Sequence, residues 1–152
     1  MGSYVRIIYQ IVFGTKFRVP CLEADNRDQL FKYISGILKN KNCHLYQIGG
    51  VEDHIHILTH IHQSQSLASL VKDIKVASNI YIKENRLFEK FTEWQGEYGA
   101  FTYAEKDKIR LINYVANQVE HHRKKTYREE IVVLLKEHKV EFDENYLNDF
   151  FN

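Results

Sequence analysis

The chain has 152 residues and an apolar share of 44%, the size and composition of one domain with a packed core. No apolar run approaches the ~20 residues that span a bilayer, and no secretory leader pattern opens the sequence. Two cysteines, Cys21 and Cys43, are too few for a disulfide framework or a four-thiolate metal site, and read as reduced thiols of a cytoplasmic protein. The net charge of +1 hides a split: residues 1–128 carry nineteen basic and thirteen acidic side chains, residues 129–152 two and seven. A basic body with an acidic tail is a hint of nucleic-acid contact. The tail is then expected to lie away from the nucleic-acid path or to moderate non-specific binding.

Residues 4–13 are rich in Tyr, Val and Ile and read as a strand. Residues 14–20 form a loop exposing Lys16 and Arg18. Residues 26–42 place Leu30, Phe31, Ile34, Ile37 and Leu38 at helical spacing. A short strand over 43–48 leads through a Gly49-Gly50 turn into a third strand over 51–61. Residues 66–84 are helical, with Leu67, Leu70, Val71, Ile74, Ala77 and Ile80 on one side. Residues 94–103 read as a loop and a short strand. Thr102 and Glu105 make a capping box, T-x-x-E, opening a helix to about Lys124. A last helix covers 129–138, and 146–151 docks as a short turn. The order β-α-β-β-α-β-α-α predicts an α+β, ferredoxin-like (split βαβ) fold. Its antiparallel sheet carries helices on one face and leaves the other open for a ligand or partner. The whole chain, 1–152, is then a single domain with an acidic helical tail from about residue 129.

Residues 53–62 hold four of the eight histidines. Side chains alternate along a strand. Ile55, Ile57 and Ile61 share one face, the expected core side, while His54, His56, His60 and His62 share the other. Same-face neighbours sit about 6.6 Å apart on a strand, so two imidazoles can converge on one ion. A polar sheet face that uses histidine is the plainer reading. The sorting by face favours a site without deciding it.

In the helix up to Lys124, ~100° per residue puts Ile109, Ile112, Val115, Ala116 and Val119 in one stripe, the expected core side. Tyr114, Gln118 and His121 then share a ridge facing away from the core. A tyrosine phenolate can attack phosphorus when a metal stabilises the phosphate charge. Tyr103 and Tyr127 are rival candidates near the helix ends.

These segments together resemble a known family. Glu52-Asp53-His54-Ile55-His56-Ile57-Leu58 resembles the histidine–hydrophobic–histidine motif of HUH endonucleases. Tyr114-Val115-Ala116-Asn117-Gln118, followed by His121-His122, resembles the tyrosine helix of single-tyrosine HUH transposases of bacterial insertion sequences, the IS200-like family. The segments around Gly14-Thr15-Lys16, Leu70-Val71-Lys72 and Trp94 to Phe101 agree in order, so the likeness covers roughly residues 4–135. Glu52 stands where a proline is common, a change that touches loop stiffness more than chemistry.

The resemblance implies that His54, His56 and Gln118 bind a divalent metal, Mg²⁺ or Mn²⁺. It implies that Tyr114 attacks a phosphate of single-stranded DNA, leaving a 5′-phosphotyrosine link and a free 3′-OH. It also implies hairpin-ended DNA as partner, a homodimer with composite active sites, and no membrane association. Asp53 is a candidate to orient a metal ligand from behind. Lys16, Arg18, Lys72, Lys75, His121, Arg123 and Lys124 are candidates for DNA contact. Two other readings share these residues: a non-catalytic or domesticated hairpin-DNA-binding relative, and a metal-binding domain using all four strand histidines.

Overall fold

A shared apolar face on two neighbouring strands organises the molecule. The computed structural model describes residues 2–152. Its strands are β1 (Ile8–Gly14), β2 (Leu45–Gly50), β3 (His54–His60) and β4 (Gly99–Thr102). They form one antiparallel sheet in the order β2-β3-β1-β4. This is the expected α+β, ferredoxin-like order, with the two longest strands in the centre.

Ile11 and Phe13 of β1 and Ile55 and Ile57 of β3 point to one face. There they pack against α1 (Ala24–Asn40) and α2 (Leu67–Glu84) through Leu30, Ile34, Leu38, Leu70, Val71 and Ile74. The α2 helix starts where Ser66 accepts a hydrogen bond from the Ser69 N–H at 3.1 Å, one of the donors a helix N-terminus leaves free. Trp94 closes this core edge-on to Phe13, and its Nε1 donates to Ser78 Oγ at 2.9 Å.

The opposite face is not open. It is covered by α3 (Lys108–Ala116), α4 (Gln118–His121) and α5 (Tyr127–Glu137), with α6 (Glu144–Phe151) behind them. The reason is apolar area: Ile8, Val12, Leu58 and Phe101 also point this way and need a cover. Leu111 and Val115 of α3 supply part of it, and Ile131, Leu134, Leu147 and Phe151 the rest. The segment after residue 129 is therefore integral to the core and not an appended tail.

The helix before Lys124 differs from expectation at both ends. Thr102 lies in β4 and caps nothing, and Glu105 instead pairs with Arg6 and Lys108. The capping box belongs to the next helix, where Thr126 and Glu129 satisfy each other's backbone N–H groups at the start of α5. The helix also breaks at Asn117, which leaves helical geometry at φ −99°, ψ 26° and separates α3 from α4. Ile109 and Val119, expected in the core, are 73% and 50% exposed. The buried side is Leu111, Val115 and Gln118, with Tyr114 half-buried beside them. The helix turns this side inward because the sheet face it covers is partly polar. No helix among the described residues is long and apolar enough to cross a membrane.

Candidate functional site

The register of β1 and β3 sets the site. Val12 lies opposite His56 and Gly14 opposite His54, so both imidazoles project from the middle of the sheet toward α3–α5. Both are fully buried, with 0% exposure. Gly49 of β2 lies across from His56 on the other side, and the backbone of α3 passes over it.

Each ring is held from behind. His54 Nδ1 donates to Asp53 Oδ1 at 2.7 Å, and His56 Nδ1 donates to Gln10 Oε1 at 2.6 Å. Gln10 is anchored in turn, its Nε2 donating to Tyr103 Oη at 2.8 Å. His54 also stacks on Tyr127 at 4.2 Å. Tyr127 donates to Gln95 Oε1 at 2.5 Å, and Gln95 also accepts from the Gly14 N–H at 2.6 Å.

In front of the rings lies Glu130 of α5, buried to 1% exposure. Its Oε1 is 3.0 Å from His54 Nε2, 2.8 Å from His56 Nε2 and 3.0 Å from His122 Nε2. Its Oε2 accepts a hydrogen bond from the Tyr114 phenol. His121 Nε2 is 3.2 Å from the same oxygen, without hydrogen-bond geometry. His54, His56, His122 and Glu130 thus form a group whose ligand atoms lie within 4.8 Å of one another. Three nitrogens and a carboxylate at this spacing suit a divalent cation.

The electrostatics follow from burial and these neighbours. Burial opposes ionisation of Glu130, but His56, His122 and His54 hold its carboxyl well below the ordinary carboxylate range. Burial depresses His54, yet its bonds to Asp53 and Glu130 outweigh this and raise it above the usual imidazole value. Complete burial lowers His56 despite Glu130. Burial, then the Glu130 charge, push the Tyr114 phenol well above its ordinary value. The tyrosine is therefore a neutral hydrogen-bond donor here.

The structure brings together His54, His56, Asp53, Tyr114 and His121. The Tyr114 ring stands edge-on to His56 at 5.8 Å and to His121 at 5.1 Å, all in one chain. Gln118 lies beside Tyr114 and bonds no histidine: its side chain acts on the Tyr114 phenol, its Nε2 donates to the Tyr114 carbonyl at 3.2 Å, and its Oε1 is buried with no partner among the described residues. Of the rival tyrosines, Tyr103 holds Gln10 and Tyr127 backs His54. His60 Nδ1 accepts from the Ile7 N–H at 3.0 Å, and His62 pairs with Ser64 at 2.7 Å.

The basic candidates divide. Lys124 lines an open depression of about 700 Å³ beside Tyr114, with Arg110, Asn117, His121 and Lys125. Arg123 is exposed and pairs with Glu120 at 3.4 Å. Lys16 pairs with Glu93 at 2.9 Å, and Arg18 lies 4.9 Å over the Phe151 ring. Lys72 and Lys75 sit on α2, which packs on the sheet face away from the histidines. Lys75 is tied to the Gln95 and Glu97 carbonyls at 2.8 and 2.9 Å, and burial lowers its ammonium to about 8.

Sequence alone picks out neither Glu130 nor His122 as a ligand. Glu130 counts among the tail acids expected to lie away from the site, yet it occupies the centre. The findable signal is His122 beside His121, followed by a capping box that places Glu130 in the first turn of an amphipathic helix. The acidic segment also backs the site through α6, where Phe151 meets Tyr127 edge-on at 5.0 Å.

Comparison with known proteins agrees with this architecture. A sequence model of the IS200-like transposase family matches residues 3–118. A presumed transposase from Deinococcus radiodurans R1 has a similar solved structure, with a TM-score of 0.58 and 21% identity over 78% of this chain and 95% of that chain. The structure of a REP-associated tyrosine transposase bound to a REP hairpin is similar with a TM-score of 0.57 and 16% identity, over 80% of this chain and 74% of that chain. At these identities the two structures speak for the fold. No curated protein gave a significant match. The family match spans most of the chain, including the histidine strand, Tyr114 and Gln118, and so the chain belongs to the IS200-like transposase family of DNA-cleaving and strand-transferring enzymes.

Proposed function

We propose that this protein is a metal-dependent single-stranded-DNA transposase in which Tyr114 is the nucleophile. One observation carries the reading: a single buried carboxylate, Glu130, joins the Tyr114 phenol to three histidines within one chain. Tyr114 Oη attacks the scissile phosphorus, the bond from phosphorus to O3′ breaks, and O3′ leaves as a hydroxyl. The product is a 5′-phosphotyrosine link, and rejoining is the reverse step with another 3′-OH. Glu130 Oε2 orients the phenol by accepting its hydrogen bond, and the phenolic proton passes through solvent to the departing O3′. Asp53 and Gln10 keep His54 and His56 aimed at the reacting region. A divalent ion held there would polarise the phosphate and offset the charge that builds on it.

The basic depression beside Tyr114, with Arg110, Lys124 and Lys125, suits a phosphate backbone. Hairpin-bearing DNA is the substrate class we favour, because a structural neighbour is bound to a REP hairpin. The closeness of Tyr114 to its own chain's His56 supports action in cis over a composite dimer site.

The test is incubation with hairpin-bearing single-stranded DNA and divalent metal, followed by denaturing electrophoresis. The wild type should form a denaturation-resistant adduct, and Tyr114→Phe should form none while keeping its circular dichroism. His56→Ala should also stop cleavage. An adduct with Tyr114→Phe would remove the assigned nucleophile. Tight hairpin binding by the wild type with no adduct under any metal would establish the non-catalytic alternative.

A further inference from the structure

The far sides of the three imidazoles reveal what their near sides can do. His54 Nδ1 faces Asp53 Oδ1, His56 Nδ1 faces Gln10 Oε1, and His122 Nδ1 faces the Lys125 carbonyl at 2.6 Å. All three partners are acceptors, so each Nδ1 carries the hydrogen and each neutral ring keeps its lone pair on Nε2. Those three Nε2 atoms converge on one oxygen, Glu130 Oε1, at 2.8–3.0 Å, and the Nε2 atoms of His54 and His122 are 3.0 Å apart. Lone pairs and a carboxylate packed together out of water repel unless positive charge lies among them. A proton satisfies one such contact, whereas a metal ion satisfies all four.

The spacing agrees. Ligands at ~2.0–2.1 Å from a tetrahedral ion stand roughly 3.3 Å from one another, and these four atoms lie within 4.8 Å. An acceptor behind each histidine is the usual support of a metal-bound imidazole. Gln118, by contrast, hydrogen-bonds none of the three rings.

We propose that His122 and Glu130 complete a four-donor centre with His54 and His56, and that this centre prefers Zn²⁺-class ions to Mg²⁺. Imidazole suits borderline ions such as Zn²⁺ and Co²⁺, while Mg²⁺ wants an octahedron of oxygens and keeps several waters. The inference deepens the proposed function and shares its premise that His54 and His56 hold an ion. It moves the third ligand from Gln118 to the turn after α4 and adds a carboxylate that also touches the nucleophile. Metal and tyrosine then share one anchor.

The experiment is Co²⁺ titration of the metal-free full chain, read by visible absorption, with Zn²⁺ and Mg²⁺ as competitors. Wild type should give the intense bands of four-coordinate Co²⁺, lost to stoichiometric Zn²⁺ and unmoved by millimolar Mg²⁺. His122→Ala and Glu130→Gln should each weaken binding by at least about tenfold, and Gln118→Ala should not. X-ray absorption of the Zn²⁺-loaded wild type needs no variant to fold, and should show three imidazoles and one oxygen. Two imidazoles, six-coordination, displacement by Mg²⁺, or binding lost in Gln118→Ala and kept in His122→Ala would overturn the proposal. Tyr114→Phe keeps all four ligands and should still give the bands of four-coordinate Co²⁺. A normal Co²⁺ spectrum with no DNA adduct would overturn the catalytic reading and leave the centre standing; an adduct made without this ligand set would do the reverse.

Discussion

Gly49→Ala is the sharpest test of how the sheet places the nucleophile. Gly49 lies across from His56, and a Cβ built there would sit 2.0 Å from the Val115 carbonyl oxygen, 3.0 Å from its carbon and 3.4 Å from Val115 Cγ1. The two nearest atoms are backbone, so no side-chain rotation relieves the clash. Helix α3 must retreat by about an ångström or more before ordinary contact is restored. Overpacking of this kind costs ~1–3 kcal/mol. Tyr114 precedes Val115, so the retreat draws its phenol away from Glu130 and His56. A displacement of about 1 Å at a reacting group costs ~10²-fold in rate. Urea denaturation should show the stability loss, and single-turnover adduct formation at saturating metal should show the rate loss. A variant within about 0.5 kcal/mol of wild type and with an unchanged rate would refute the idea that an absent side chain seats α3.

Gly36 is exposed in the middle of α1, and a Cβ added there would meet nothing within 4 Å, so Gly36→Ala should stabilise by ~0.5–1 kcal/mol; a loss in urea denaturation would contradict this. In EDTA, the depressed Glu130 carboxyl means the unfolded chain takes up more protons on acidification, so stability present above the ordinary carboxyl value of 4.5 is lost as pH falls further. Glu130→Gln should flatten that acid limb, and equal steepness would speak against the assignment. His54 acts in the opposite sense: its raised value gives stability that is full below pH 6.5 and lost as pH rises through the folded value. Burial pushes the Cys21 thiol up to about 11, and Cys43 is buried as well. Native protein at about pH 8, near the free-thiol value, should leave Ellman's reagent unreacted while urea exposes both thiols, and rapid native labelling would refute the packing.

The sheet was legible because strand signals are local. The sorting of isoleucines and histidines in β3 holds to the residue, and α1 and α2 fall within about two residues of their expected ends. The helix carrying Tyr114 was harder. Its apolar residues occupy more than one side: Val115 is buried as expected, but choosing Ile109 and Val119 beside it ignored that the partly polar sheet face needs Leu111 and Gln118. Two T-x-x-E patterns occur, and only tertiary context selects Thr126 over Thr102. Glu130 and His122 were hidden for a different reason: their meaning lies in contacts with His54 across 76 and 68 residues of chain. No local pattern marks such a pairing. Lys75 illustrates the converse, a basic residue suited to phosphate by type but spent on backbone carbonyls of a neighbouring loop.

Those long separations also fix when the centre can exist. The histidine pair is synthesised well before α5, and Tyr114 precedes Glu130 by 16 residues. Until α5 docks, the imidazoles lack their carboxylate and the phenol lacks its acceptor. Contacts of such high sequence separation form late and cooperatively. The centre therefore matures with the last helices of the fold, and a prematurely terminated chain carries the nucleophile without the apparatus around it.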